Sequence, residues 1–204
     1  METHVTDAPQ LYLMTPAGAQ ASTLSPMLGE VLDRFPVACL RIRGGAEEDE
    51  LGRLADLARE IAHARDVAVV IDDHVRLAQR HGLDGVHLTD GARGVRDARK
   101  ELGADAIVGA FCGVSRHDGI NAGEAGADYV SFGPVGDTAL GRGGPAPLDL
   151  FQWWSEMIEI PVVAEGAITR ELITGLSPIT DFIAIGAEIW AEKDPAKALE
   201  GLWG

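Results

Sequence analysis

Arg41 and Arg43 stand two residues apart where the apolar run Val37–Ile42 ends. In a strand, side chains return to the same face every second residue, so both guanidiniums leave together. Two cations on one face make an anion site, and arginine meets a phosphate with two parallel N–H bonds. The competing use for either is an ion pair with Asp72 or Glu47. Further polar residues close later apolar runs: Asp72, Asp73 and His74; then His87, Thr89 and Asp90; then Cys112; then Glu165 and Gly166; then Gly186, Ala187 and Glu188. His87 lies inside an apolar run and reads as a satisfied interior histidine rather than an acid or base. Cys112 reads as a small buried thiol or, with a base to activate it, a nucleophile. Glu165 is placed either for chemistry or for pairing with Arg41. Arg142, in Gly141-Arg142-Gly143-Gly144, is poised over a phosphate or sits on a mobile lid.

The elements that must carry these residues show through a repeated pattern. Gly82-Leu83-Asp84, Gly103-Ala104-Asp105 and Gly126-Ala127-Asp128 each run straight into an apolar stretch, and Asp181 does so without the glycine. A glycine there suits the left-handed residue that ends a helix, and the apolar stretch suits a strand buried on both faces. With Leu11–Met14, Val37–Ile42, Val67–Ile71 and Ile160–Ala164 this makes eight strands. Helical segments are expected at Glu48–His63, Asp73–Arg80, Gly94–Leu102, His117–Ala125, Leu148–Ile158, Arg170–Leu176 and Asp194–Leu202; the first has Leu51, Leu54, Leu57, Ala58 and Ile61 on one stripe. Strands alternating with helices predict parallel βαβ units, and eight of them predict a closed barrel. No G-x-G-x-x-G follows the first strand, which counts against a doubly wound open sheet. The fold expected is a single-domain α/β (β/α)8 TIM barrel over residues 1–204, with 1–9 a flexible N-terminus and the active site at the strands' C-terminal ends.

Composition narrows the partners. The net charge is −15, from 32 acidic and 17 basic residues, a field that repels nucleic acid and anionic lipid. An anionic substrate would need local donors: backbone N–H groups, a metal or a few arginines. No apolar run reaches the ~18 residues of a membrane span, and Met1–Pro9 is too polar for a signal peptide. Two scattered cysteines, Cys39 and Cys112, predict no disulfide framework and a cytoplasmic protein. Of Trp153 and Trp154, one is expected in the core and the other at a homodimer contact.

Taken in order, Gln10–Thr15, Leu40–Arg43, Ile71–Asp73, Gly85-Val86-His87-Leu88, Gly126–Val130, Phe132-Gly133-Pro134 and Ile160–Ile168 resemble the thiamine phosphate synthase superfamily, which also holds a thiazole tautomerase. The resemblance runs from about residue 10 to residue 195. It implies a reaction in which a pyrimidine diphosphate loses pyrophosphate to leave a stabilised carbocation, and the ring nitrogen of thiazole phosphate attacks it. Carried over position by position, it gives Arg41 and Arg43 the pyrophosphate and Asp73 a magnesium ion, Asp73's other use being the N-cap of a helix opening at His74. Gly166, Gly186 and Ala187, with Asp72 and Arg142, would bind phosphate. The sequence departs from the pattern at several points: Cys39 for a Gln, Asp72 for an Asn, Ala92 for the second magnesium carboxylate, Cys112 for a Ser, and Gly166-Ala167 for a Gly-Gly. Arg41, Arg43 and Cys112 are therefore the catalytic candidates of a divergent synthase working on a phosphorylated small molecule. A paralogue acting on one different phosphorylated substrate, and a barrel that binds such a ligand without turnover, are the competing readings.

Overall fold

The computed structural model describes residues 8–137 and 144–204. Its elements run β1 (Gln10–Met14), α1 (Ala21–Arg34), β2 (Val37–Ile42), α2 (Glu48–His63), β3 (Ala68–Asp72), α3 (Val75–His81), β4 (Gly85–Leu88), α4 (Val95–Leu102) and β5 (Ile107–Phe111). They continue α5 (Arg116–Glu124), β6 (Tyr129–Phe132), α6 (Leu148–Met157), β7 (Val162–Glu165), α7 (Arg170–Leu176), β8 (Phe182–Ile185), α8 (Ala187–Trp190) and α9 (Pro195–Trp203). The strands pair in chain order, all parallel, and β8 pairs back onto β1 to close the barrel. This is the (β/α)8 barrel expected. The flexible terminus expected at 1–9 lies, for residues 1–7, outside the described residues.

Helix α1 was not among the expected helices. Pro26 sits inside it and Gly29 follows, and both weaken a helix when judged alone. Tertiary burial overrides that weakness. Leu24, Leu28, Val31 and Leu32 form one apolar stripe that packs against α2 and α9, at about 1.5–3 kcal/mol for each large side chain fully buried. No side chain caps its first turn, but the Ala21 N–H donates to Glu50 Oε1 of α2 at 2.9 Å. The expected helix at Asp73–Arg80 starts later, at Val75, because Asp73 turns back with a positive φ of 53°.

Three of the four repeated aspartates act as staples between neighbouring strands. The Asp84 carboxylate, just before β4, accepts the Val69 N–H of β3 at 2.6 Å. Asp128 before β6 accepts Val108 of β5 at 2.7 Å, and Asp181 before β8 accepts Val162 of β7 at 2.8 Å. In each case the aspartate's own N–H donates back to the same residue's carbonyl. A carboxylate here replaces the hydrogen bond that each strand's first turn would otherwise lack. The preceding glycines all take positive φ, although only Gly82 lies in the left-handed helical region.

Two apolar shells result. One fills the space between strands and helices, with Phe132, Phe151 and Trp154 its largest members. The other lies inside the barrel and includes Tyr12, Cys39, Val70, Tyr129, Val163 and Ala184. Gly109 is part of that inner design. A Cβ there would sit 2.0 Å from Cζ of Tyr129, so its absence admits the tyrosine ring. Above this layer, toward the C-terminal strand ends, the interior turns polar. No helix among the described residues is long and apolar enough to cross a membrane.

Candidate active site

The barrel mouth is organised around Arg41. Its Nε donates to Asp72 Oδ1 at 2.5 Å and its Nη1 to Glu165 Oε2 at 2.8 Å. The three side chains come from β2, β3 and β7 and are only 5%, 10% and 15% exposed. Burial opposes the charge on Arg41, but the carboxylates of Glu165 and Asp72 outweigh it and raise the guanidinium pKa. One cation between two carboxylates leaves a formal charge of −1 in a site with little water to screen it. The two arginines expected to share one anion site are thus divided. Arg41 is held by carboxylates, because Glu165 reaches it across the mouth. Arg43 keeps only its backbone engaged, its N–H donating to Thr15 Oγ1 at 3.0 Å, and no carboxylate among the described residues pairs with its guanidinium.

Asp73 does not cap α3; the N-cap is His74. The Asp73 carboxylate instead accepts the Thr89 N–H at 2.8 Å and the Thr89 hydroxyl at 2.6 Å, which fixes it between the ends of β3 and β4. Its positive φ is a strained conformation for an aspartate held in place by such bonds, a cost that collects at functional sites. Asp90 turns away to Arg93 at 2.9 Å, and position 92 is an alanine. Among the described residues no group of three or more His, Cys, Asp or Glu side chains converges to hold a metal. Asp73 offers one carboxylate, which fits only an ion carried in on a substrate's phosphate oxygens.

Below the mouth runs a buried polar chain that the sequence reading missed. Tyr12 and Tyr129 share a hydrogen bond of 2.7 Å between their hydroxyls, and Tyr129 meets His87 Nδ1 at 2.8 Å. Burial, with the charge of Arg41 next, pushes the His87 pKa well below its ordinary value, so the ring is neutral. Burial also raises both tyrosines. The Nε2 of His87 and the hydroxyl of Ser131 are buried with no hydrogen-bond partner among the described residues. Interior positions of β1 and β6, read at period two, were the signal available for Tyr12, Tyr129 and Ser131.

Cys112 lies elsewhere, in the shell between strands and helices. Its thiol donates to the Ala110 carbonyl at 3.6 Å, and burial pushes its pKa up to about 12. A thiol so placed stays protonated, and the thiolate is the reactive form.

The β6 and β7 ends are locked together. The N–H groups of Val135 and Gly136 donate to the Gly166 carbonyl at 3.1 Å, and a Cβ on Gly166 would meet Pro134 at 2.9 Å. Ala167 follows with a φ of 54°. At the end of β8, Gly186 does not offer a free N–H: it donates to Glu188 Oε2 at 2.8 Å, while Oε1 of the same carboxylate accepts the Ile168 N–H at 3.0 Å. Ala187 is exposed as the first residue of α8. Arg142 lies outside the described residues. Trp154 is the core tryptophan, and Trp153 is half-buried beneath the Arg116 guanidinium at 4.9 Å.

Residues 11–191 match a family model described as thiamine monophosphate synthase. A thiamine-phosphate synthase of Rhodospirillum centenum is 40% identical over 184 residues, covering 89% of each chain. One of Erythrobacter litoralis is 38% identical, covering 92% of this chain and 91% of its own. Among solved structures, a thiamine phosphate pyrophosphorylase from Pyrococcus furiosus superposes with a TM-score of 0.80 at 25% identity, covering 94% of this chain and 92% of its own.

Proposed function

The chain belongs to the thiamine monophosphate synthase family, and from that membership we propose that it joins a pyrimidine diphosphate to a thiazole with release of pyrophosphate. The observation that carries this reading is the extent of the match: residues 11–191 take in all but the first residue of the barrel's strands and every side chain at its mouth.

In this reading the bond from the pyrimidine's methylene carbon to oxygen breaks, and the pyrophosphate leaves with the electron pair. The thiazole ring nitrogen then supplies the pair that forms the new C–N bond. Two charges need stabilising in that transition state, a negative one on the leaving group and a positive one on the methylene. Arg43 supports the first, with its guanidinium uncommitted to any described carboxylate. Arg142 is the second cation proposed there. The Asp72–Arg41–Glu165 cluster supports the second, since its net negative charge stands at the mouth, fixed in place before the cation forms. Arg41 acts by holding the two carboxylates rather than by gripping phosphate. Asp73 would touch a magnesium ion arriving on the diphosphate, an ion that spreads the leaving group's charge. The free, buried cysteines suit a reducing compartment, and we place the reaction in the cytoplasm.

The test is whether purified protein releases pyrophosphate from the pyrimidine diphosphate only when a thiazole is present. Release that ignores the thiazole would be hydrolysis and would contradict coupling.

A further inference from the structure

Tyr129 on β6 reaches His87 on β4 across the intervening strand, because position 109 of β5 is a glycine. A Cβ there would collide with both the tyrosine ring and its hydroxyl. The Tyr129 and His87 rings stack at 5.6 Å between centroids, and the Tyr129 hydroxyl meets His87 Nδ1 at 2.8 Å. Behind it, the Tyr12 hydroxyl meets that of Tyr129 at 2.7 Å. On its other side His87 pairs with Asp72 of β3, the residue that holds Arg41 at the mouth.

A neutral imidazole carries one proton, and the bond made at one ring nitrogen decides the state of the other. With the proton on Nδ1, His87 would donate to Tyr129 and Tyr129 to Tyr12. The Tyr12 proton would then face only the sulfur of Cys39, a weak acceptor. Run the other way, Tyr12 donates to Tyr129 and Tyr129 donates to Nδ1, so both hydroxyl protons are used. The ring proton then sits on Nε2, which is buried and has no partner among the described residues. A network built only to fill the core would end on a partner, since an unpaired buried donor is costly. This one ends open. Ser131, two residues beyond Tyr129 on the same face of β6, also has a buried hydroxyl with no partner among the described residues.

We propose that Tyr129 is a positioning residue that holds His87 in its Nε2–H tautomer, so that the histidine presents an uncharged donor to a ring nitrogen of the pyrimidine. The identity of that heterocycle rests on the synthase reading above. An uncharged donor adds no second cation beside Arg41, where that reading has a positive charge developing on the methylene.

The experiment has two arms, and neither needs turnover. In the first, the ring nitrogens of His87 are assigned by 15N NMR on the full chain without ligand. The wild type should show a protonated Nε2 and a bare Nδ1, and Tyr129→Phe should populate both tautomers. A proton on Nδ1 in the wild type, or an unchanged tautomer in the variant, overturns the proposal. In the second arm, calorimetry measures Kd for the pyrimidine diphosphate and for the two pyridine analogues in which CH replaces one ring nitrogen. The wild type should bind one analogue about tenfold more weakly than the parent, the cost of leaving a buried donor unpaired. Tyr129→Phe should weaken the parent by about as much and lose little more with that analogue. His87→Gln, whose amide N–H can stand near the Nε2 position, should restore most of the affinity in the Tyr129→Phe background. Equal binding of all three ligands by the wild type, no binding of the diphosphate, or losses that simply add overturn the proposal. Both wild-type readings hold whether or not a variant folds. If binding follows the expected pattern while no thiazole is coupled, the synthase reading fails and the positioning role survives.

Discussion

Arg41 and Glu165 meet across the barrel mouth at 2.8 Å although 124 residues separate them in the chain. With Asp72 on the other side of the guanidinium, the pair is the polar centre of the site. Neutralising one carboxylate while keeping its shape should cancel the cluster's net charge. Glu165→Gln is expected to lower kcat by about 10–100-fold with KM for the diphosphate little changed. Steady-state kinetics on each substrate checks this, and a change confined to KM would place Glu165 in binding instead.

Removing the shared cation is a different matter. Arg41→Ala leaves two buried carboxylates facing each other without a partner. The expected loss is about 3–5 kcal/mol of unfolding free energy, read from denaturant melts. Glu165→Gln, which keeps a hydrogen-bond acceptor for Arg41, should lose less.

Arg43 has no such structural commitment. Arg43→Ala should leave stability within about 0.5 kcal/mol and raise KM for the pyrimidine diphosphate by about tenfold or more. The thiazole KM should stay as it is. Equal effects on both substrates would remove Arg43 from the leaving group.

His87 makes the fold sensitive to acid. Its pKa is lowered in the folded protein, so below the unfolded value near 6.5 the unfolded chain binds the proton more readily. Stability is therefore full above that pH and falls as pH drops through it, by at most about 1.4 kcal/mol per pH unit from this group. Replacing His87 by Asn should flatten that part of the stability-against-pH curve. A curve of unchanged slope would show that another group carries the acid sensitivity.

Gly109 and Tyr129 test the inner packing. Gly109→Ala puts a methyl carbon where the tyrosine ring lies and should move Tyr129 off His87, at a cost of about 1–3 kcal/mol. Thermal melts give the cost. The Tyr129→Phe background should reduce it little, because the clash is with the ring and not only with the hydroxyl.

What the sequence disclosed follows from range. Three strands announced themselves as short apolar runs behind a Gly-x-Asp turn and a fourth behind an Asp alone, a local signal repeated along the chain, and the other four showed as bare apolar runs. Residues ending those runs could then be named in advance, and Arg41, Asp72 and Glu165 do meet. How they meet was not readable, because a choice between anion binding and ion pairing depends on a carboxylate from the far side of the barrel. Helix α1 was hidden by Pro26, whose local penalty is offset only by packing on α2 and α9. Glu188 was visible as a strand-end residue, but its bond to Ile168 depends on the twist that brings two loops together. Asp73 read as a metal ligand or, failing that, a helix cap; its positive φ, which turns the carboxylate to Thr89, was not readable locally.

The most direct test of the account is the coupled product itself. Folded wild-type protein would be given the pyrimidine diphosphate, magnesium and thiazole phosphate, with product and pyrophosphate measured by mass spectrometry and enzymatic assay. The account expects a C–N coupled product formed one for one with pyrophosphate. No coupled product, where a known synthase makes one in the same mixture, would contradict it and leave a family barrel put to another use.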